Sequence, residues 1–557
     1  MSSRLALYHP SGQLGLGNNV FGKDVANLDL FRALARHGGF EQVDLLVPDP
    51  LPPSQLAQGL LGEASGGTRL ASHGLLDMGA AAAAGALLRG LPDISDLAWM
   101  RRRVAGDRAY SLLGLIHTIA PPITRQTIAA TALAPTQPWD ALICTSPSVR
   151  EALARMFEEQ ADYLAERAGG GRLPTPNLPL VPLGVDGAHF AAQADRPQAR
   201  RALREELGLA ETDVLVIWVG RLSFFEKAFP QAMFRAVEEA ARESGARVHF
   251  ALAGWFPNPE VHRPLYEAAA QAYAPSVPVH FIDGNDRSRL ADLWAAADVF
   301  LSLVDNIQET FGITPLEAMA SGLPVVVSDW DGYRFTVRDG REGFLIPTLG
   351  GPLNGAGRAI AAAHVLQVQS YQTYVGAVAQ HTAVHVGRAA QALGALAADP
   401  DLRRRMGAAG RERIRTTFDW PVVARQVREL VDELAAIRKA AAEPSRRHMF
   451  NPVKGDPFRD FAGFASQVLR AETVVSVRDG AGVADLERAA GLALDRFGDG
   501  WRLADAETRT MVDRLAAEGP LAVRALCEAL PAERRRAAEL TLAWLAKLGV
   551  LDWAESA

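Results

Sequence analysis

Residues 297–339, ADVFLSLVDNIQETFGITPLEAMASGLPVVVSDWDGYRFTVRD, read as a buried strand, a polar loop, a short helix and a second strand. Asp298 and Asp305 bound the apolar run 299–304, and Gly322 and Pro324 precede the run 325–327. Both runs fit buried parallel strands. Between them, Thr314 is the expected N-cap, Pro315 the first helical residue and Glu317 the partner three residues past the cap, a capping box. Gly322 and Pro324 then stop the helix. A strand, a glycine turn at Gly312 and an open helix N-terminus make a phosphate site, because unpaired N–H groups and the helix dipole both favour an anion.

Glu309 and Glu317 flank this turn, so both can face one crevice at the C-terminal edge of a sheet. The stretch ETFGITPLEAMASGLPVV resembles the donor site of the retaining family 4 glycosyltransferases, in which two glutamates bracket a Phe-Gly turn. The resemblance implies that Glu309 contacts hydroxyls of a donor sugar and Glu317 the ribose of its nucleotide. Phe311, Gly312, Ile313 and Thr314 would lend backbone groups between them. A purely structural reading leaves Glu317 as a capping-box glutamate, an excuse that Glu309 lacks.

At 557 residues the chain has room for three or four domains. Its 48% hydrophobic and 22% charged residues are those of a globular protein, and a formal net charge of -6 argues against nucleic acid as a partner. Cys144 and Cys527 are too few and too far apart for a disulfide framework or a cysteine-based zinc site, which points to a reducing, cytoplasmic setting. The opening MSSRLALYHP lacks the apolar core of a signal peptide, and the Ala-rich run 79–88 is too short to span a bilayer. Membrane association is therefore expected to be peripheral at most, at the inner face.

In the first half, residues 4–8 read as a strand, HPSGQLGLGNNVFG as a glycine-bearing loop, 23–37 as a helix and 43–47 as a second strand. Family 4 enzymes carry a glycine pair in this loop, which falls at Phe21 and Gly22; Gly15 and Gly17 are rivals for the role. Residues 50–100 are rich in Ala, Gly and Leu and suggest no chemistry. Residues 110–116 read as a strand ending at His117, and a histidine at such a tip points into the crevice. The family places a histidine there, close to the sugar. Arg101 to Arg103 could grip a phosphate, although a solvated basic face explains them as well.

In the second half, the β-branched run 214–219 leads into Gly220 and Arg221 and then LSFFEK. In the resemblance, Arg221 and Lys227 hold the donor diphosphate. Fixed cations lower the barrier as negative charge builds on the leaving group, with no metal or other cofactor. The runs 248–254 and 279–284 read as further strands, and the resemblance puts residues 283–287 around the nucleobase. The triplet Asp329, Trp330, Asp331 could be mistaken for the Asp-x-Asp metal motif of another fold. An extra segment, 350–385, interrupts the family pattern before closing helices that cross back to the first domain.

From Pro444 a linker precedes a mostly helical tail in which Leu526, Leu530, Leu540, Trp544 and Leu548 recur at helical spacing. The tail offers a docking or oligomerisation module, for a protein partner or a second copy.

The expected fold is α/β, with two Rossmann-like domains facing across a cleft (GT-B) and a small helical C-terminal domain. The bounds are 1–185 for the acceptor domain, 186–420 for the nucleotide-sugar donor domain, 421–443 for a crossover helix and 444–557 for the linker and accessory domain. The implied activity is retaining transfer of a sugar from a nucleotide-sugar to a hydroxyl of a sugar or lipid-linked acceptor. Within it, Arg221 and Lys227 stabilise the departing diphosphate, Glu309 and Glu317 orient donor sugar and ribose, and His117 positions the reacting face. Two rivals stand beside it. One is a synthase acting on a sugar phosphate, which would need extra cations in the first domain and would be favoured by basic residues lining the cleft near Arg101 to Arg103. The other is a non-catalytic nucleotide-sugar sensor.

Overall fold

The computed structural model describes residues 3–15, 21–62, 67–169, 173–444 and 448–554. It divides into two compact units, Met1–Met449 and Phe450–Ala557.

The first unit contains two six-stranded parallel sheets. Strands β1 (Arg4–Tyr8), β2 (Gln42–Val47), β3 (Arg69–Gly74), β4 (Ala86–Arg89), β5 (Ser111–Leu115) and β6 (Ala141–Ile143) lie in the order β3-β2-β1-β4-β5-β6. Strands β7 (Val214–Val219), β8 (Val248–Gly254), β9 (Val279–Asp283), β10 (Val299–Ser302), β11 (Val325–Ser328) and β12 (Gly343–Ile346) lie in the order β12-β11-β10-β7-β8-β9. Read from its other edge, the second order is the first. Each is the doubly wound arrangement, in which the strand order reverses beside the first strand and opens a crevice at the carboxyl ends. In the second sheet the reversal lies between β7 and β10, so the loops after those two strands frame it. Central strands buried on both faces are apolar throughout: every residue of β7, VLVIWV, is buried.

The strands expected from hydrophobic runs are present with ends shifted by at most two residues. Residues 50–100 are the exception, because they hold β3, a helix Met78–Ala84 and β4. β3 is a half-exposed edge strand and β4 has four residues, so neither shows a long apolar run. The helix Trp420–Ala440 returns to the first lobe, where Arg428 donates to Gly39 O at 2.8 Å and Arg438 to Ser111 Oγ at 3.3 Å.

The solvated basic face considered for Arg101 is corrected. Arg101 is fully buried, bonded to both carboxylate oxygens of Asp140 at 2.6 and 2.7 Å and to Tyr110 O at 2.7 Å. Arg102 pairs with Asp107 at 2.8 Å. A guanidinium tolerates such burial only with its donors met by a matching carboxylate, so Arg101 is a structural cation of the first lobe.

Segment 350–385 forms two helices, Gly357–Val365 and Tyr371–Ala379, and its base is closed by an antiparallel pair, β13 (Thr348–Leu349) with β14 (Ala383–Val384). Val375 and Tyr374 pack against Ala120 of the first lobe.

The second unit has its own core, led by Val512, Leu515, Leu526, Leu542 and Leu545. Its four longer helices are joined by a three-stranded antiparallel sheet, which helical spacing did not reveal. The strands are β15 (Val474–Val477), β16 (Leu521–Ala522) and β17 (Leu551–Trp553), in the order β16-β15-β17. Among the described residues no helix is long and apolar enough to cross a membrane.

Candidate active site

A cleft of about 410 Å³ opens where the carboxyl ends of the two sheets face each other. It is lined from the first lobe by Phe21, Gly22 and His117, and from the second by Gly220, Arg221, Lys227, Glu309, Phe311, Gly312, Ile313, Thr314 and Glu317. Every expected site residue is therefore in one cleft except Gly17, which lies outside the described residues. Of the rival glycine positions, Phe21 and Gly22 line the cleft and Gly15 does not.

The loop after β7 supplies the cations. Arg221 pairs with Glu226 at 2.6 Å and lies over the rings of Phe21 and Trp255, 5.1 and 5.8 Å from their centroids. Phe21 belongs to the first lobe, so this guanidinium bridges the lobes by cation–π contact. Lys227 Nζ is 3.1 Å from Glu309 Oε2, which brings the loops after β7 and β10 together on either side of the strand-order reversal.

Strand ends without side chains make the floor. A Cβ on Gly254, at the end of β8, would lie 1.7 Å from Gly220 O. The turn before the helix Ile313–Ala320 depends on Gly312, whose φ is +82° and whose added Cβ would lie 1.9 Å from Tyr333 Cε1.

The expected capping box is absent. Gly312 is the N-cap and the helix starts at Ile313, so Thr314 and Pro315 sit inside its first turn and no side chain caps it. Glu317, past the first turn, cannot reach back to the N-cap as a capping-box partner does. Its carboxyl instead lines the cleft, and burial, assisted by the charge of Asp29, pushes its pKa up to about 7.

His117 is just beyond β5. Its Nε2 meets Asn27 Oδ1 at 2.8 Å and Gly90 O at 2.9 Å. Two acceptors at one nitrogen place the proton on Nε2, leaving Nδ1 as an acceptor. Burial, with the charge of Lys23 adding to it, lowers its pKa to about 4, so the ring is neutral near pH 7. Thr310 Oγ1 donates to His117 O and ties the Glu309 loop to the first lobe.

Sequence reasoning missed Lys23 and Trp255, which also line the cleft. Lys23 directly follows Gly22 at a helix start, and Trp255 directly follows the glycine ending β8, so both stood at signalled positions. Of residues 283–287, Gly284 lines the cleft, whereas Asp283 and Asp286 line a separate depression beside Arg263 and Arg289. Asp329 pairs with Arg334 at 3.1 Å, and Asp331 accepts from Ser146 Oγ at 2.7 Å.

Residues 199–349 match the family Glycosyl transferases group 1. That span runs from just before β7 through the end of β12 and contains both glutamates and both cleft cations of the second lobe. A D-inositol 3-phosphate glycosyltransferase of Nocardia farcinica is 34% identical over 191 residues, 34% of this chain and 40% of that protein. An alpha-maltose-1-phosphate synthase of Mycolicibacterium smegmatis is 26% identical over 345 residues, 60% of this chain and 77% of that one. The chain thus spans about two fifths of the inositol-phosphate enzyme it matches. Among solved structures, Anabaena HepE in complex with UDP and glucose superposes with a TM-score of 0.50 at 15% identity, covering 77% of this chain and 99% of that one. The matched residues 199–349 therefore form the second lobe of a two-lobed fold of the GT-B type.

Proposed function

We propose that this chain is a retaining, metal-independent glycosyltransferase that moves a hexosyl group from a nucleotide-sugar to an acceptor hydroxyl. The observation that carries the reading is the union, in one interlobe cleft, of Arg221, Lys227 and Glu309 with the open N-terminus at Gly312. As the glycosidic bond breaks, negative charge grows on the departing diphosphate. Arg221 and Lys227, joined by Lys23 from the opposite lobe, and the first N–H groups of Ile313–Ala320 stabilise it.

Before a donor binds, each main cation is neutralised by a carboxylate, Glu226 or Glu309. The diphosphate exchanges for those partners, and Glu309, freed from Lys227, accepts from donor-sugar hydroxyls. Glu317, held deep in the cleft, accepts from the ribose. His117 offers Nδ1 to the sugar from the other side. The leaving phosphate takes the acceptor proton on the face where it departs, which preserves the anomeric configuration.

The rival synthase reading needs extra cations in the first lobe; Lys23 is one that lines the cleft. Arg101 and Arg102 are held by Asp140 and Asp107, and none of Arg101 to Arg103 lines the cleft.

The test is incubation of the purified protein with UDP-glucose, UDP-N-acetylglucosamine, GDP-mannose and ADP-glucose, scored by melting temperature and by release of nucleoside diphosphate. One donor is expected to raise the melting point by mass action and to be slowly hydrolysed, with hydrolysis lost in Glu309→Gln. Silence with every donor and every free diphosphate would sink the reading.

A further inference from the structure

Next to the donor cleft lies a second cavity, of about 610 Å³, within the range of roughly 300–1,000 Å³ typical of small-molecule sites. The two share Glu309, so whatever occupies the second cavity abuts the reacting sugar. Its walls are unlike at the two ends.

One wall is the helix Pro147–Ala168, which turns Val149, Ala152, Leu153 and Met156 toward the cavity at spacings of three and four residues. Ile119 and Ile307 continue this apolar surface. Opposite stands Tyr374 from segment 350–385, its ring stacked on His364 with centroids 5.3 Å apart. That segment is nearly uncharged: between Glu342 and Arg388 the sole Asp, Glu, Lys or Arg is Arg358. It exposes Leu353, Leu366 and Val368, and Leu349 at its base is exposed too, each with more than seven tenths of its surface accessible. Besides Glu309 and Asp331, the charged lining residues are solvent-accessible: Arg334 is held by Asp329 and Arg155 by Glu151, beside Arg125 and Glu159.

The end next to Glu309 is different. Asp331 is one of two non-glycine residues with positive φ among those described, at 36°. A left-handed backbone costs a residue with a Cβ more than glycine, and Asp is among the few side chains that tolerate it. Asp331 Oδ1 accepts from Ser146 Oγ, which is itself the N-cap of the apolar-faced helix. This bond spans the two lobes. Burial raises the Asp331 pKa to about 7, in line with a carboxyl turned in among protein groups.

We infer that this cavity is the acceptor site and that it takes an amphiphile, a hydroxyl-bearing head on an aliphatic body. The head lies against Asp331 and Glu309; the body lies along Val149, Leu153 and Met156 and leaves past the uncharged segment. Asp331 positions an acceptor hydroxyl toward the donor sugar. The assignment of the neighbouring cleft to a donor comes from the glycosyltransferase reading, on which this one rests.

Calorimetric titration of the full chain with n-octyl β-D-glucoside, below its micelle concentration, and with methyl β-D-glucoside tests it. The octyl compound is expected to bind at least about tenfold more tightly, from burial of its chain. Ala152→Trp, which fills the cavity from a solvent-accessible helix position, should bring octyl affinity down to that of the methyl compound; an unchanged melting temperature confirms the variant's fold. Asp331→Asn should weaken both glucosides by a similar factor, because the hydroxyl end is common to them. Equal affinities for the two glucosides, or octyl binding untouched by Ala152→Trp, would overturn the inference. UDP, ADP and GDP titrated into the wild type separate the two readings. Binding of a diphosphate with no octyl preference refutes the amphiphile alone, whereas octyl preference with no diphosphate binding refutes the donor cleft.

Discussion

In the first lobe the buried cation Arg101 is locked to Asp140, with neither side chain exposed, whereas in the second lobe Arg221 and Lys227 face a cleft from the loop after β7. Both lobes have the same strand order, so topology supplies two equivalent crevices. What separates them is where charge can be exchanged. Asp140 also accepts from Leu112 N and Gln137 N, and that network is closed inside the core, out of reach of a ligand. The pairs of Arg221 with Glu226 and Lys227 with Glu309 stand in loops after strand ends, and Arg221, Lys227 and Glu309 line the cleft, where, in the proposed function, a diphosphate replaces one partner. A cation contributes to the fold where its partners are fixed and to chemistry where they can be traded.

The strongest break of this comparison comes from the structural side. Arg101→Met leaves the Asp140 carboxylate buried and unpaired, and unfolding in urea should show a loss of about 3–5 kcal/mol while donor affinity of the folded protein is unchanged. If donor affinity falls with stability, the division between the lobes is wrong.

Lys227→Ala addresses the other side. Nucleoside diphosphate release should slow by about 10²–10³ fold, with little change in melting temperature, because Lys227 is partly exposed and its loop is held by other contacts. A variant of near wild-type rate would mean that the diphosphate lies elsewhere.

Glu317→Gln sharpens the point with pH. The folded-state pKa of Glu317, about 7, lies above its ordinary 4.5, so the fold favours the protonated acid. That contribution is fully present below about pH 4.5 and is lost as pH rises through 7. The variant should match wild type in acid and exceed its stability by up to about 3 kcal/mol at pH 8, while donor binding weakens. Equal stability at both pH values would place the carboxylate in a better-solvated setting.

The smallest effect is expected at His117. With its pKa near 4, the ring is neutral across the working range, so His117→Ala should reduce turnover by roughly tenfold and leave any acid limb above pH 5 in place. Disappearance of such a limb would show that the histidine titrates there.

The second lobe was more legible than the first for a physical reason. Its central strands lie in continuous apolar runs, and its cleft residues fall in the loops that follow them, where Gly220 and Arg221 stand at the end of one run and the turn at Gly312 in the loop after another. In the first lobe β3 and β4 have no such runs, and Arg101 to Arg103 could not be sorted into core or surface from their order alone. Helical spacing in the tail showed helices but not β16 or β17, which are two and three residues long and exist only by pairing with β15.

By itself the sequence determined the two sheets and the chemical character of the interlobe cleft, because hydrophobic periodicity and glycine turns are local properties of the chain. Tertiary structure decided the rest. It released Glu317 from the capping box, put Arg101 in the core, drew Lys23 and Trp255 to the cleft, and set Asp331 against Ser146, 185 positions away. Those outcomes depend on which groups from distant segments meet and exclude water from one another, and no local pattern carries that information.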